Sequence, residues 1–286
     1  MAVRVKGITH VALELSSPTR MERYLRDVFG LQLLRQGYLR GEYVRVIGSP
    51  HHQTQNPGFL ILYNRPFIPR GRLRYIAFGV EQAIEDAVIE LRQRDNRVDT
   101  EDILIGPGDL HIKIDSFSHP RLLPRDDPST KMADAIVDQS LPCLWRGIHH
   151  VSPDVPAHGP LLDWLSLTFG MDLRKDAVDR RGELVTSVKY SDGHRDSIGR
   201  LPPLLTQFLR PDISRVELNH IAFDTADAVG AISTIEGRGE KVDLPGDALI
   251  YGPEEVWFQI ESRDTPFPVD HPANQVGVTL IPYKVG

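Results

Sequence analysis

The chain repeats itself once, and this repeat constrains the fold more than any other feature of the sequence. Short landmarks of the first half return in the second half in the same order, 140 to 146 residues later. The matched segments are Ile8-Thr-His10-Val with Ile148-His-His150-Val, Phe29-Gly30-Leu31 with Phe169-Gly170-Met171, Leu73-Arg-Tyr75-Ile-Ala-Phe78 with Leu218-Asn-His220-Ile-Ala-Phe223, and Gly106–Asp115 with Gly252–Glu261. Near-constant spacing over four landmarks predicts a tandem duplication.

Each half has the same order of predicted elements, which is a strand, then a helix, then further strands. In the first unit, alternating β-branched residues over 5–15 predict a strand, and Ser16-Ser17-Pro18 predicts the start of a helix that ends at Gly30. The pattern restarts at Arg72, with a second strand and a helix over 81–94. We therefore predict an α+β protein of four βαβββ modules paired into two domains.

A linker is predicted over residues 118–144, between a first domain at 1–117 and a second domain at 145–286 that includes a C-terminal tail. Residues 118–141 lack clear periodicity and combine several prolines with mixed charge, which is typical of a connecting segment. Within it we expect one helical turn around Lys131–Val137.

Composition excludes several classes of protein. The formal net charge of −6 and the pI near 6.0 argue against a nucleic acid or an anionic membrane as partner. Cys143 is the single cysteine, so neither an internal disulfide nor a thiolate metal site is expected. The N-terminus lacks a signal-peptide pattern, and no stretch approaches the roughly 20 apolar residues of a membrane span. These features predict a cytoplasmic protein.

Two imidazoles and one carboxylate occupy three landmark positions of the second half only. They are His150, His220 and Glu261, whereas the first half has His10, Tyr75 and Asp115. Each histidine taken alone is more often structural than a ligand. Together they form the two-histidine, one-carboxylate set that binds Fe(II) and leaves positions open for substrate and O₂.

Strand alternation adds two expectations about the neighbours of these residues. Ser152 should share the pocket face with His150, while His149 should point away from it. Trp257 should lie on the same face as Glu261.

The modules and the strand motifs Thr-His-Val-Ala, Asn-His-Ile-Ala-Phe and Phe-Gln-Ile-Glu resemble those of the vicinal oxygen chelate superfamily. Because the chain has two modules per domain and the ligand set in the second domain, it is similar to the type I extradiol ring-cleaving dioxygenases, over about residues 5–262. The resemblance implies that each domain is a curled mixed sheet with helices outside. It also implies that Fe(II), with Mn(II) as the alternative, sits in the C-terminal trough and that the N-terminal domain holds no metal.

The resemblance also implies roles for residues outside the ligand set. Family members have a tyrosine ten residues before the glutamate ligand, here Tyr251, and an acid–base histidine between the two histidine ligands, here His194. Ser152 and Trp257 are expected to line the substrate pocket. Many members have a further histidine upstream of the tyrosine, but residues 239–250 contain none, so Asp243 or Asp247 are candidates for its role.

The function implied by the resemblance is Fe(II)-dependent cleavage of a catechol-type ring beside its vicinal hydroxyls, with both atoms of O₂ incorporated, as in the catabolism of aromatic hydrocarbons. The expected partners are a small aromatic diol and O₂, and homo-oligomers are common in the family. Two alternatives remain open on the same scaffold. One is a metal-dependent lyase or isomerase of the glyoxalase type, which needs no O₂. The other is a metal-free protein that binds a small molecule.

Overall fold

Two β-sheets and four α-helices are present in the part of the chain that the computed structural model describes. It describes residues 3–51, 58–117, 130–178, 184–189, 203–243, 248–265 and 279–280, with the side chains of 172–178, 184–189, 203–204 and 279–280 left out of the description. One sheet is built from the first half of the chain and has eight strands, and the other is built from the second half and has nine.

The first half contains two successive units that begin with a long strand. Its elements are β1 (Val5–Leu15), α1 (Pro18–Phe29), β2 (Gln32–Leu39), β3 (Glu42–Gly48), β4 (Phe59–Asn64), β5 (Arg72–Val80), α2 (Ile84–Gln93), β6 (Ile103–Ile105), β7 (His111–Ser116) and β8 (Lys131–Asp134). A one-turn 3-10 segment, Pro107–Asp109, connects β6 to β7.

The second half repeats this order. Its elements are β9 (Gly147–Val155), α3 (His158–Phe169), β10 (Asp172–Val178), β11 (Leu184–Lys189), β12 (Pro203–Leu209), β13 (Glu217–Asp224), α4 (Ala228–Gly237), β14 (Val242–Asp243), β15 (Leu249–Tyr251), β16 (Trp257–Glu261) and β17 (Thr279–Leu280). The matching 3-10 segment is Pro253–Glu255. The four predicted modules are therefore present, in two pairs.

The two sheets also share their pairing and register. In the first sheet β1 pairs antiparallel with β5 and parallel with β4, and in the second β9 pairs antiparallel with β13 and parallel with β12. Ala12 lies opposite Tyr75 in the first sheet, and Ser152 lies opposite His220 in the second. This shared register makes Tyr75 and His220 structurally equivalent residues, as the sequence landmarks predicted.

The main core lies between the backs of the two sheets and includes helices of both halves. Phe29, at the end of α1, packs against Phe223 and Phe258 of the second sheet at ring-centroid distances of 4.9 and 5.7 Å. Its counterpart Phe169, at the end of α3, packs against Phe78 of the first sheet at 5.3 Å. Each long helix thus contributes to a core shared by the two halves, which leaves the other face of each sheet free to form a trough.

Matched hydrogen bonds join the halves on both sides of this core. The amide of Gly71 donates to the carbonyl of Glu254 at 2.7 Å, and the amide of the equivalent Val216 donates to the carbonyl of Gly108 at 2.6 Å. Glu254 makes one more connection, because its carboxylate accepts from the amides of Ser16 and Ser17 at 2.7 and 2.8 Å. The start of α1 is therefore capped by a residue from the other half instead of by the Ser17 side chain.

The predicted helical turn around Lys131–Val137 is wrong. Residues Lys131–Asp134 form β8, which pairs antiparallel with β2 and completes the edge of the first sheet. Gly37 permits this pairing, since a Cβ there would lie 2.0 Å from the carbonyl oxygen of Lys131. The unpaired edge of a sheet can form backbone hydrogen bonds with an extended segment from elsewhere in the chain. The residue pattern of that segment alone does not show that the pairing will occur.

The strand β17, from the C-terminal tail, pairs with β10 at the edge of the second sheet. Among the described residues, no helix is both long enough and apolar enough to cross a membrane.

Candidate metal centre

His150 on β9 and His220 on β13 face each other inside the second sheet. Their ring centroids are 5.5 Å apart, and the exposed fractions of the two residues are 5% and 3%. Phe208 on β12 packs against the His220 ring at 5.8 Å. The structure thus brings two of the three predicted ligands together in a buried, partly aromatic environment.

Two β-bulges place a polar neighbour beside each of these histidines. The pairing of β9 with β13 skips His149, because Ile148 lies opposite Phe223 and His150 lies opposite Ala222. It skips Asn219 in the same way, on the other strand. A bulge turns its extra side chain out of the regular alternation, and bulges are frequent next to active sites.

The bulge at His149 overturns the expectation that this side chain points away from His150. The Nδ1 atoms of the two histidines are 2.9 Å apart, and the rings meet edge to face at a centroid distance of 5.2 Å. Nε2 of His150 has a lone pair for a ligand in the tautomer in which Nδ1 of His150 donates to Nδ1 of His149. Strand alternation failed here because the bulge interrupts it.

A chain of hydrogen bonds sets the proton position on His220. Asn219 donates from Nδ2 to the carboxylate of Asp154 at 2.8 Å, so its Oδ1 is the atom that faces Nδ1 of His220, also at 2.8 Å. Nδ1 must therefore carry the proton and donate it to Asn219. Nε2 has the lone pair, and Ser152 Oγ donates to it at 2.9 Å.

Burial keeps all three histidines neutral at physiological pH. Loss of solvation lowers the pKa of His220 to about 4 and that of His149 to about 3, with the Arg263 guanidinium adding to the effect on His149. The pKa of His150 lies well below its usual value because of burial, followed by the neighbouring His149, His220 and Arg263. Neutral imidazole is the form that binds metal ions.

Glu261, the third predicted ligand, lies at the end of β16, opposite Asp224 in the parallel pair with β13. Its side chain is half-buried and its carbonyl accepts from Thr225. Within the described ranges, no three His, Cys, Asp or Glu side chains stand together as a ready-made metal-ligand group. The structure therefore assembles the two imidazoles but does not bring the Glu261 carboxylate up to them.

The donor chemistry at this place nevertheless fits a divalent ion. Both imidazoles are neutral, and a neighbouring side chain forms a hydrogen bond with Nδ1 of each, His149 in the case of His150 and Asn219 in the case of His220. Such support of the remote nitrogen is usual for metal-binding histidines. Glu261 lies on the third of three adjacent strands, so His150, His220 and Glu261 are the residues that would hold the ion.

The remaining predicted site residues lie at different places relative to the two histidines. Tyr251 lies opposite Trp257 across β15 and β16, the two rings meet at 4.9 Å, and Tyr251 is 50% exposed. Trp257 in turn lies opposite His220. His220, Trp257 and Tyr251 therefore form a row across the adjacent strands β13, β16 and β15. Ser152 is fully buried and bonds to His220. His194 and Asp247 lie outside the described residues.

Sequence reasoning missed the polar residues that hold the histidines. Asn219 and Asp154 fix His220, and Arg263 donates to the carbonyls of Ile148 and His149 at 2.9 and 3.4 Å. Asn219 had a usable signal, since it directly precedes a landmark histidine. Arg263 had none, because it follows the last landmark and reaches back to a distant strand.

Comparison with known proteins supports the fold at low sequence identity. No protein-family model matches the chain, and no curated protein matches it by sequence. A solved Mn(II)-bound glyoxalase from Novosphingobium aromaticivorans is 13% identical with a TM-score of 0.63, over 98% of this chain and 93% of that one. The 2,3-dioxygenase LapB from Pseudomonas sp. KL28 is 11% identical with a TM-score of 0.63, over 95% and 97%. A mutant of 4-hydroxymandelate synthase from Streptomyces coelicolor is 13% identical with a TM-score of 0.64, over 95% and 96%.

These similarities cover nearly the whole of each chain, so they concern the complete two-domain arrangement. They confirm the predicted fold of two curled mixed sheets, which this chain shares with the solved glyoxalase and 2,3-dioxygenase. At 11–13% identity they show the fold alone, and the proteins compared perform different reactions.

Proposed function

We propose that this protein is a metal-dependent extradiol dioxygenase that opens a catechol-type ring beside its vicinal hydroxyls. The observation that carries the proposal is the pair of buried, neutral imidazoles of His150 and His220, with Glu261 on the adjoining strand. Two imidazoles and one carboxylate suit Fe(II), with Mn(II) as the alternative, better than a closed structural zinc site.

The chain's own residues have distinct roles in this proposal. Nε2 of His150, Nε2 of His220 and the Glu261 carboxylate hold the ion, which when bound lowers the pKa of a substrate hydroxyl and supplies the chemistry with O₂. Ser152, which donates to Nε2 of His220, must turn its hydroxyl away when the ion binds. Tyr251 and Trp257 extend the same row, where Tyr251 binds a substrate oxygen and Trp257 packs on the ring. His194 is proposed as the acid–base residue.

The experiment is an O₂-uptake assay with a panel of catechols on protein loaded anaerobically with Fe(II). We expect uptake of one O₂ per catechol consumed and a new absorbance from the ring-opened product. His150→Ala and His220→Ala should lose both signals, whereas His111→Ala, on the first sheet, should keep them. Catechol-dependent uptake that persists in His150→Ala or His220→Ala would contradict the ligand assignment.

A second candidate is a metal-dependent isomerase or lyase, and the likeness to the Mn(II)-bound glyoxalase over 98% of this chain favours it. The proposed ligand residues would then polarise a substrate oxygen without O₂ chemistry. Turnover of a hemithioacetal by Mn(II)-loaded protein under anaerobic conditions, together with no O₂ uptake with any catechol, would establish this candidate in place of the dioxygenase.

The remaining expectations follow from the same proposal. A small aromatic diol and O₂ are the proposed partners, and a cytoplasmic homo-oligomer is the proposed form of the protein. Light scattering of the purified chain measures the mass of the assembly directly, and a mass of 32.2 kDa would contradict an oligomer.

A further inference from the structure

The turn that joins β15 to β16 carries a residue of the proposed substrate site, and the other half of the chain contacts this turn. Tyr251 ends β15 and Trp257 begins β16, and their rings meet edge to face at a centroid distance of 4.9 Å. Trp257 lies opposite His220 on the neighbouring strand. The conformation of the turn therefore affects where Tyr251 lies relative to the proposed metal centre.

Two residues of this turn have a left-handed backbone conformation although neither is a glycine. The φ angles of Glu254 and Glu255 are 58° and 60°. In the equivalent turn of the first half Asp109 also has a positive φ angle, but the position of Glu254 is taken by Gly108, at a φ of 67°. Glycine adopts this conformation without strain, whereas a strained residue keeps it only where surrounding contacts hold it.

Contacts with the first half hold Glu254. Its carboxylate accepts from the amides of Ser16 and Ser17 at 2.7 and 2.8 Å, and its carbonyl accepts from the amide of Gly71 at 2.7 Å. Hydrogen bonds from amides to an ionised carboxylate are stronger than those between neutral groups, and a negative charge is favourable at the start of a helix. The first half thus fixes both the side chain and the backbone of Glu254.

Tyr24 on α1 adds a contact on the other side of the turn. Its hydroxyl donates to the carbonyl of Tyr251 at a long distance of 3.5 Å, and its ring stacks on Phe258 at a centroid distance of 6.2 Å. Phe258 directly follows Trp257 on β16. The helix α1 therefore contacts both of the strands that the turn connects.

The reverse contact, from the second half onto the first, lacks the carboxylate. Trp164 on α3 is equivalent to Tyr24, and it packs on Gly106 so closely that a Cβ there would lie 2.7 Å from its ring. Gly108 has no side chain with which to cap α3, and the side chain of Ala157 at the start of α3 makes no capping bond. Each helix packs on a turn of the other half, but of the two turns it is the one beside Tyr251 whose side chain bonds to the helix.

We propose that Glu254 is a positioning residue, which ties the turn to α1 and thereby holds Tyr251 beside Trp257 and His220. This inference rests on the proposed function, in which Tyr251 binds a substrate oxygen. Glu254 acts through Tyr251 and not through contact with the substrate. The first half then contributes to the site of the second half without binding a metal, because α1 supports the turn.

The first test follows Trp257 in chelator-treated protein, so that it needs neither metal nor substrate. 5-Fluorotryptophan labels the three tryptophans of the chain, and Trp257→Phe identifies the Trp257 signal in ¹⁹F NMR. Glu254→Gly introduces the residue type of the equivalent turn, which keeps the left-handed backbone but removes the carboxylate. We expect the Trp257 resonance to shift and broaden, whereas the resonances of Trp145 and Trp164 stay in place.

The matched control is Glu255→Ala, which removes the same charge from the neighbouring exposed position. It should leave all three resonances unchanged. An unshifted Trp257 resonance in Glu254→Gly, or an equal shift in Glu255→Ala, would overturn the proposal. Displacement of all three signals in Glu254→Gly would also overturn it, because it would show a general loosening of the fold.

The second test asks whether Glu254 acts through Tyr251. In Fe(II)-loaded protein, Glu254→Gly should lower kcat/KM for a catechol about 5-fold, which corresponds to the loss of a helix cap, and one Mn(II) ion per chain should still bind. In a Tyr251→Phe background the same change should have no further effect, because residues that act as a unit are not additive. Losses that add, or loss of the bound ion, would overturn the proposal. If no catechol is turned over, the proposed function fails, whereas the ¹⁹F result still decides whether Glu254 positions the turn.

Discussion

The two halves of this molecule share one scaffold and differ in a few side chains at matched positions. In both sheets a bulge precedes the central histidine, formed by Thr9 in the first half and His149 in the second. The ring that meets this histidine edge to face is Tyr75 in the first half and His220 in the second. The exchange of one buried ring therefore distinguishes a trough with a single imidazole beside a tyrosine from a trough in which two imidazoles face each other.

A second pair of equivalent positions also differs between the two troughs. Lys113 on β7 lies opposite Ala77, and Gln259 on β16 lies opposite the equivalent Ala222. The lysine places a cation at this position of the first sheet, whereas the second sheet has a neutral amide there. A few strand positions thus give the two troughs different side-chain chemistry on the same scaffold.

The largest effect is expected from the carboxylates that end β7 and β16. Glu261→Gln should lower metal affinity at least about 100-fold, because a ligand is lost. Asp115→Asn should leave metal affinity unchanged but lower the free energy of unfolding by about 1.5–3 kcal/mol, because it removes the charged partner of His10 and Thr9. Calorimetric titration with Mn(II) and urea unfolding measure the two quantities. Equal loss of metal affinity in both variants would remove the distinction between the halves.

The next largest effect is expected in the pH dependence of the free energy of unfolding, which should distinguish the histidines of the two halves. His149 and His220 have pKa values of about 3 and 4 in the folded protein, against about 6.5 in an unfolded chain. Between pH 6.5 and about 4 the unfolded chain binds more protons, so the free energy of unfolding of chelated protein should fall as the pH falls. Each such histidine contributes up to about 1.4 kcal/mol per pH unit.

The matched variants for this titration are His220→Phe and His111→Phe. The first should flatten the slope between pH 6.5 and 4, and the second, which replaces a half-exposed histidine, should not. A slope that is the same in all three proteins would show that these histidines are not held neutral by burial.

A third prediction concerns a buried core position. Leu62 on β4 and Gln207 on β12 are equivalent, both are fully buried, and neither amide atom of Gln207 has a partner in the described part of the chain. Gln207→Leu should raise the free energy of unfolding by about 1–2 kcal/mol, because it removes an unsatisfied amide. Leu62→Gln should lower it by about 2–5 kcal/mol. Urea unfolding checks both, and destabilisation by Gln207→Leu would show that the amide has a partner.

The smallest effect is expected at the contacts between the halves. Glu254 and the equivalent Gly108 both have positive φ angles, 58° and 67°, but only Glu254 has a side chain that caps α1. Glu254→Ala should lower the free energy of unfolding by about 1 kcal/mol, because two amides at the helix start lose their acceptor. The neighbouring variant Glu255→Ala should change it by less than about 0.5 kcal/mol. A similar decrease of the free energy of unfolding in both variants would contradict the role of Glu254 as the cap of α1.

Much of the fold was predictable because periodicity and repetition can be recognised in the sequence itself. The strand Val5–Leu15, the helix from Pro18 and its end at Gly30 follow directly from alternation, a first-turn proline and a left-handed glycine. The strand Lys131–Asp134 was not predictable, because it forms in response to the exposed edge of β2 and not from its own pattern.

The candidate site was predictable in its landmarks but not in its supports. The repeat identified His150 and His220 because equivalent positions recur at fixed spacing. It could not identify the bulges at His149 and Asn219, since register depends on the partner strand.

The most direct test of the account is the number of metal ions bound per chain, measured by Mn(II) titration of anaerobic, chelator-stripped protein under electron paramagnetic resonance. We predict one bound ion per chain in the unaltered protein, none in His150→Ala, and one in His10→Phe, which changes the equivalent residue of the first half. No bound ion in the unaltered protein, or an ion that survives His150→Ala but is lost in His10→Phe, would contradict the assignment of the metal to the second half.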